Sequence, residues 1–144
     1  MPHLLDVNVL IAVGDAGHSH AGLALRYFEE VAVRDGWATC PLTENAFVRI
    51  LGSTSYPDGP GSTNEARRIL ESLKAAPGHQ FWPDDLSLCE ASRFPDLPAS
   101  GDLTDCYLLA LAVAHGGRLA TLDRRIDPLR VPGGAEALFI VGQA

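Results

Sequence analysis

An apolar run from Leu4 to Ala12 is interrupted by one acid, Asp6, and one amide, Asn8. A short, bounded apolar run of this kind predicts a buried strand that passes directly into a buried helix. An ionised carboxylate among such neighbours loses its hydration, which costs free energy unless a cation or hydrogen-bond donors meet it. We therefore expect Asp6 to end the first strand and to form one wall of a site that binds a divalent metal ion.

The rest of the chain alternates between short strands and amphipathic helices, within a length of 144 residues that suits one domain, residues 1–144. This alternation predicts an α/β fold with a mostly parallel, five-stranded sheet and helices on both faces. The predicted strands are Pro2–Asp6, Trp37–Cys40, His79–Trp82, Arg118–Leu122 and Ala137–Val141. The predicted helices are Val7–Val13, Ala21–Arg34, one opened by Pro41 with Thr43 as its N-cap, one after the capping pattern Ser62 to Glu65, Asp84–Arg93 and Leu103–His115.

Four acids occupy positions that a parallel sheet brings to its carboxyl edge, where functional groups gather. Asp6 ends the first strand and Asp123 follows the fourth. Glu44 and Asp105 lie in the first turns of two helices that can face the same edge. Carboxylates that converge raise one another's pKa, and a cation relieves the repulsion. Hard oxygen ligands favour Mg²⁺ or Mn²⁺, so we expect these four acids to be catalytic, with the three aspartates as metal ligands.

Each of these acids except Asp6 also has a purely local interpretation. Asp105 can serve the helix dipole, while Glu44 and Asp123 can cap or favour a helical turn. Asp102 is better explained as a helix N-cap than as a ligand. The prediction of a metal site therefore depends on the set of four and not on any single acid.

Two uncharged polar residues are candidates for supporting this site. Asn8 can hydrogen-bond to the loop backbone or orient a ligand. Thr121 stands two positions before Asp123, so its hydroxyl can reach the same site, although it can equally be a strand residue only.

The net charge of −7 argues against a nucleic-acid partner, because such partners usually require a basic surface. Lys74 is the only lysine among eleven Lys and Arg residues, and arginine is well suited to forked phosphate contacts. Bound divalent ions would also change the sign of the field at the site. Arg124 and Arg125 adjoin Asp123 and are candidates for binding phosphates, with simple solvation as the alternative. Arg49 can instead pair with an acid.

Four sequence blocks resemble, in order and spacing, the four motifs of PIN-domain proteins, most closely the VapC toxins of bacterial toxin–antitoxin pairs. The blocks are Leu5–Leu10, Cys40–Arg49, Thr104–Ala112 and Leu119–Arg124. The resemblance implies a three-layer α/β/α sandwich and an Mg²⁺- or Mn²⁺-dependent endoribonuclease that cleaves RNA. It also implies a homodimer that a cognate antitoxin protein holds inactive. The family's acidic positions fall on Asp6, Glu44, Asp105 and Asp123, and its small hydroxylated residue falls on Thr121, whereas Cys106 stands where the family often has Ala.

Two other classes of function are weaker interpretations. A phosphatase with an aspartate nucleophile would need Asp-x-Asp after the first strand, where this chain has Asp6-Val7-Asn8. A receiver domain would need a lysine after its penultimate strand, and Lys74 lies within a predicted helix instead. A PIN-like binding module without catalysis remains an alternative, against which the presence of all four acids argues.

The sequence predicts a cytoplasmic protein without a membrane span. No apolar run approaches the roughly 20 residues of a membrane helix. No Lys or Arg precedes the first apolar run, and Asp6 interrupts it, so a signal peptide is not expected. Three cysteines without a C-x-x-C pair indicate reduced thiols. Some of the larger apolar groups are expected to pack in a C₂ homodimer or to receive an antitoxin helix, with core packing favoured for Phe47 and Phe81. These groups are Phe47, Tyr56, Phe81 and Trp82.

Overall fold

The central feature of the fold is a five-stranded sheet in the order β3-β2-β1-β4-β5, with every neighbouring pair parallel. The structure is a computed structural model that describes residues 1–143. Its strands are β1 His3–Leu5, β2 Trp37–Thr39, β3 His79–Phe81, β4 Arg118–Thr121 and β5 Leu138–Ile140. The predicted strands and their parallel arrangement are confirmed, each strand being one or two residues shorter than its predicted range.

Helices cover both faces of this sheet, as the α/β/α prediction requires. They are α1 Val7–Gly14, α2 Ala21–Tyr27, α3 Val33–Asp35, α4 Pro41–Leu51, α5 Thr63–Lys74, α6 Leu103–Ala114 and α7 Gly134–Ala137. A π-helical segment, Phe28–Ala32, joins α2 to α3, so the predicted helix Ala21–Arg34 is present with a widened turn inside it. No helix within residues 1–143 has both the length and the apolar character that crossing a membrane requires.

Successive residues of the central strands point to opposite faces, and this alternation builds two separate cores. Leu4 of β1 packs in the core formed mainly by α6, together with the side chains of Trp82 and Phe94. Leu5, the next residue, packs in the core formed by α1, α2, α4 and α5. Both leucines have no exposed surface. Because β1 is covered on both faces, the residue that follows it, Asp6, is held rigidly at the carboxyl edge.

The predicted helix Asp84–Arg93 is wrong, because this segment consists of irregular backbone and turns. Trp82 and Phe94 anchor its ends in the core, at 4% and 5% exposure. Asp84 does not cap a helix of its own, since its carboxylate accepts the backbone N–H of Leu42 at 2.8 Å in the first turn of α4. Asp84, which the local pattern assigned to a helix of its own, therefore caps the N-terminal turn of α4 instead.

The predicted N-cap of α4, Thr43, is also wrong. The cap is Cys40, and Pro41 occupies the first helical position, where its fixed φ and missing N–H are favourable. The Thr43 hydroxyl reaches back instead, accepting the Cys40 N–H at 3.0 Å and donating to the Cys40 carbonyl oxygen at 3.1 Å.

The four aromatic residues considered for an interface divide between core and surface. Phe47 and Trp82 are buried and belong to the two cores. Core packing for Phe81 is wrong, because this side chain is 53% exposed on the edge strand β3. The Lys74 ammonium lies 5.3 Å from the centre of its ring. Tyr56 is partly buried and donates its hydroxyl proton to Asp15 at 2.6 Å.

Candidate active site

Asp6 stands at the junction of β1 and α1, with only 3% of its surface exposed. It is the N-cap of α1, and its Oδ1 accepts the Val7 N–H at 2.7 Å. Its Oδ2 accepts the Thr121 hydroxyl at 2.8 Å. Burial raises the pKa of Asp6 above its ordinary value, with a further rise from the charge of Asp123, and the two hydrogen bonds oppose this shift. The carboxylate is thus fixed in place but remains a costly buried charge.

Thr121 and Asn8 join the ends of β4 and β1 into one hydrogen-bonded unit. The Thr121 hydroxyl accepts the side-chain N–H of Asn8 at 3.2 Å and the backbone N–H of Asp123 at 3.0 Å. The side-chain oxygen Oδ1 of Asn8 accepts the backbone N–H of Leu122 at 3.1 Å. Both supporting residues named from the sequence therefore lie at the site, where they fix Asp6 and the backbone of Asp123 relative to each other.

Asp123 lies just beyond β4 and is held by a residue two positions further along. Its Oδ1 accepts the backbone N–H of Arg125 at 2.9 Å and the guanidinium Nε at 3.1 Å. Hydrogen bonds from the Arg125 side chain, and then from its backbone, lower the pKa of Asp123. Asp123 is therefore ionised and already pairs with the Arg125 guanidinium, whereas Asp6 has no cationic side chain within 4.0 Å among residues 1–143.

Asp105 enters the site from the first turn of α6. Burial raises its pKa to about 6, and the charges of Asp6, Asp123 and Asp102 add to the rise. Asp105 lines two adjoining depressions, one shared with Asp123 and Arg125, the other shared with Asp6 and Arg49. We call the second depression the α4–α6 cleft, lined by Asp6, Asn45, Arg49, Thr104 and Asp105 among others. Asp105 therefore connects the other two aspartates.

The charges at this site fit a hard divalent cation. Within residues 1–143, no Lys, Arg or His nitrogen lies within 4.0 Å of the carboxylate of Asp6 or Asp105. Over the same range, no group of three or more His, Cys, Asp or Glu side chains is placed so that it could hold a metal ion by itself. Mg²⁺ commonly uses one or two carboxylates and keeps several waters, so a completed protein shell is not required. The site is an unbalanced cluster of carboxylate oxygens, which is the donor chemistry that Mg²⁺ and Mn²⁺ prefer.

Glu44 is not brought to this cluster, and its predicted convergence with the aspartates is corrected by the structure. Its Oε2 accepts the Thr39 hydroxyl at 2.6 Å and pairs with the Lys74 ammonium at 2.8 Å. The face of α4 that lines the cleft carries Asn45 and Arg49. Successive helical residues differ by about 100° in direction, so Glu44 points away from that face.

Other charged residues near the site have roles that the sequence did not separate. Asp102 is the N-cap position of α6 without a capping side-chain bond, and it lines the depression that Asp105 and Asp123 share. Arg124 is exposed, whereas Arg125 is tied to Asp123. Sequence reasoning did not place Arg49 in the cleft. The four-residue spacing from Asn45 to Arg49, which puts both on one helix face, is the pattern that indicates it.

Sequence comparisons with known proteins identify the family to which this chain belongs. A family model described as "PIN domain" matches residues 3–131. The chain belongs to the PIN-domain family. Among its relatives, Ribonuclease VapC39 of Mycobacterium tuberculosis (strain ATCC 25618 / H37Rv) is 39% identical over 140 residues, 96% of this chain and 100% of the relative. Ribonuclease VapC44 of the same strain is 38% identical over 135 residues, 92% of this chain and 94% of the relative. The resemblance to VapC-type PIN domains predicted from the four sequence blocks is confirmed.

Solved structures show the same PIN fold at low sequence identity. The crystal structure of VapBC2 from Rickettsia felis, bound to a DNA fragment from its promoter, matches with a TM-score of 0.60 and 13% identity, covering 97% of each chain. VapC20 of Mycobacterium tuberculosis, described as a Sarcin-Ricin loop cleaving toxin, matches with a TM-score of 0.57 and 14% identity. That match covers 81% of this chain and 86% of VapC20. At these identities the two structures bear on the fold of this PIN domain alone.

Proposed function

We propose that this PIN domain is a metal-dependent endoribonuclease and the toxin of a VapBC-type toxin–antitoxin pair. The observation that carries the proposal is the pair Asp6 and Asp105, two carboxylates that line one cleft and have raised pKa values. Among residues 1–143, no Lys, Arg or His nitrogen lies within 4.0 Å of either carboxylate. A protein keeps such costly groups together where function requires it. The names of the relatives, Ribonuclease VapC39 and VapC44, supply the reaction class.

Asp6, Asp105 and Asp123 are the residues that would hold Mg²⁺ or Mn²⁺. When bound, the ion would lower the pKa of a coordinated water and offset negative charge at the phosphate. Thr121 and Asn8 position Asp6, so that its carboxylate need not reorganise. Glu44, held by Lys74 and Thr39, is outside this machinery.

The partners of the protein follow from the same assignment. We include a cognate antitoxin protein, a homodimeric state and a cytoplasmic location in the proposal. Leu23 and Leu25 on α2 are 39% and 44% exposed, so α2 presents apolar side chains that a second copy of the chain could cover in the proposed dimer. Sedimentation at several concentrations tests the dimer, and a monomer at every concentration would refute it.

The function is tested by incubating the purified chain with a mixed RNA pool in Mn²⁺, with and without a chelator. We expect cleavage that requires the metal and that is lost in Asp105→Asn, which keeps the shape of the side chain and removes its charge. Asp58→Asn, a change of an exposed acid on a distant loop, is the matched control and should cleave normally. Cleavage that persists in chelator or in Asp105→Asn would refute the proposal.

A further inference from the structure

We propose that Arg49 is the residue that binds a phosphate of the RNA chain beside the cleavage site. This inference rests on the proposed ribonuclease function. It assigns phosphate binding to Arg49, whereas the sequence analysis considered Arg124 and Arg125 for that role. The structure favours Arg49 because of its location in the cleft, its lack of a carboxylate partner within residues 1–143, and the contacts that already hold Asp6 and Glu44.

Arg49 stands on the wall of the α4–α6 cleft that also contains Asp6 and Asp105. Asn45 precedes it by one turn on the same face of α4, and Thr104 of α6 lines the same cleft. A phosphodiester lying against the two aspartates through a cation would therefore meet a guanidinium, an amide and a hydroxyl. These are the groups that bind phosphate oxygens in nucleic-acid complexes.

Arg49 carries no ion pair within residues 1–143, although it lies close to an acidic cluster. Arg125 pairs with Asp123 and Arg130 with Asp96, while Arg124 is exposed and lines neither of the two depressions. A guanidinium presents a fork of donors that matches a phosphate, and it is more useful for that purpose when no carboxylate occupies it. Arg49 is thus the arginine of the cleft that is free to take an anion.

Two of the neighbouring carboxylates, those of Glu44 and Asp6, are held by contacts that do not involve Arg49. Glu44, the acid nearest to it along α4, is bound by Thr39 and by Lys74. Asp6 is held by the hydroxyl of Thr121 and by a backbone N–H. A cleft with acids on one side and a free arginine on the other can bind a cation and a phosphate together, because each side keeps its own charge.

The test measures RNA binding by fluorescence anisotropy in an Asp105→Asn chain, using a short fluorescein-labelled single-stranded RNA. Adding Arg49→Gln should weaken binding about tenfold, as expected for loss of one charge-assisted contact. The slope of log affinity against log salt should fall by about 0.7, the value for one phosphate of a single strand. Arg49→Lys should keep the slope while recovering part of the affinity, since it retains the charge but not the fork.

Arg26→Gln is the matched control, because Arg26 is also exposed and without an ion pair within residues 1–143 but does not line the cleft. It should change neither affinity nor slope appreciably. Equal affinity and slope for the Arg49→Gln and Arg26→Gln chains would overturn the inference while leaving the ribonuclease proposal intact. Unchanged RNA binding with loss of self-association would assign Arg49 to a protein interface and would also overturn it. Failure of the parent Asp105→Asn chain to bind RNA would overturn the inference, whereas the ribonuclease proposal is decided separately by cleavage of the mixed RNA pool.

Discussion

Arg125 holds Asp123 through both its backbone and its side chain. The backbone N–H donates to Oδ1 at 2.9 Å, while Nε donates to Oδ1 at 3.1 Å and a terminal nitrogen approaches Oδ2 at 3.4 Å. The guanidinium is 90% exposed, so it can leave without disturbing the core. The Arg125 guanidinium therefore already pairs with Asp123, one of the three carboxylates proposed to hold a metal ion. A metal ion that binds Asp123 must compete with this guanidinium.

This competition predicts that Arg125→Gln binds Mn²⁺ more tightly than the wild-type chain. Removing the guanidinium frees Asp123 and also removes a positive charge near the cluster. Arg124→Gln removes the same charge from the adjacent exposed residue, so it controls for the general electrostatic effect. We expect the Arg125→Gln chain to have the higher Mn²⁺ affinity of the two by calorimetric titration. Equal affinities would show that the Asp123 contact does not limit metal binding.

The position of Glu44 predicts that Glu44→Gln keeps the cleavage activity. Its carboxylate serves Thr39 and Lys74, and the change should cost up to about 1 kcal/mol of stability from a partly exposed ion pair. Asp105→Asn, in contrast, should lower the cleavage rate by about 100-fold or more, as removal of one preorganised electrostatic group does. Rates measured on the same RNA under the same metal concentration decide the matter. A comparable loss in both variants would return Glu44 to the active site.

The contrast between Asp6 and Glu44 shows how far the sequence alone could go. Asp6 was predictable because it lies between Leu5 and Val7 in a mainly apolar run, so its placement follows from local pattern and sheet topology. The direction of Glu44 depends on Lys74, thirty positions later, and on the exact turn of α4, neither of which periodicity specifies. The same reason explains the wrong helix at Asp84, whose partner, the N–H of Leu42, lies in a different element.

Thr121→Val should destabilise the fold and disorder the site, since it replaces a buried hydroxyl with a methyl group of similar size. Oδ2 of Asp6 loses its closest donor, and the backbone N–H of Asp123 loses its acceptor. Leaving buried polar groups unsatisfied costs about 1–3 kcal/mol, measurable by urea unfolding. Thr121→Ser keeps the hydroxyl and should recover both stability and cleavage. A stable, active Thr121→Val chain would contradict the positioning role of the hydroxyl.

The burial of His3 predicts that the folded protein loses stability when the pH is lowered moderately. It is 2% exposed, its Nδ1 lies 2.6 Å from the Tyr27 hydroxyl, and burial lowers its pKa from 6.5 to about 4. Below pH 6.5 the unfolded chain binds a proton that the native chain refuses, so stability falls as the pH drops from 6.5 towards 4. The full effect is about 3 kcal/mol. The difference between wild type and His3→Gln in urea unfolding isolates it, and a pH-independent difference would contradict the assignment.

Asp105 should oppose His3 over nearly the same pH range, and it links the stability of the chain to the proposed site. Its native pKa of about 6 lies above the ordinary 3.8, so the native chain binds the extra proton and stability falls as the pH rises through this window. In chelator at neutral pH, Asp105→Asn should therefore be more stable than wild type by about 1–2 kcal/mol, because solvent screening reduces the effect for a half-buried group.

This advantage of Asp105→Asn should shrink as the pH falls towards 3.8, and Asp58→Asn should show no comparable gain. Adding Mn²⁺ should stabilise the wild-type chain more than Asp105→Asn, because a ligand that binds only the native state raises its stability. Unfolding curves at several pH values, with and without metal, test both parts. An Asp105→Asn chain that is less stable than wild type in chelator would mean that the carboxylate is not under electrostatic strain, and the case for a cation at this edge of the sheet would lose its main support.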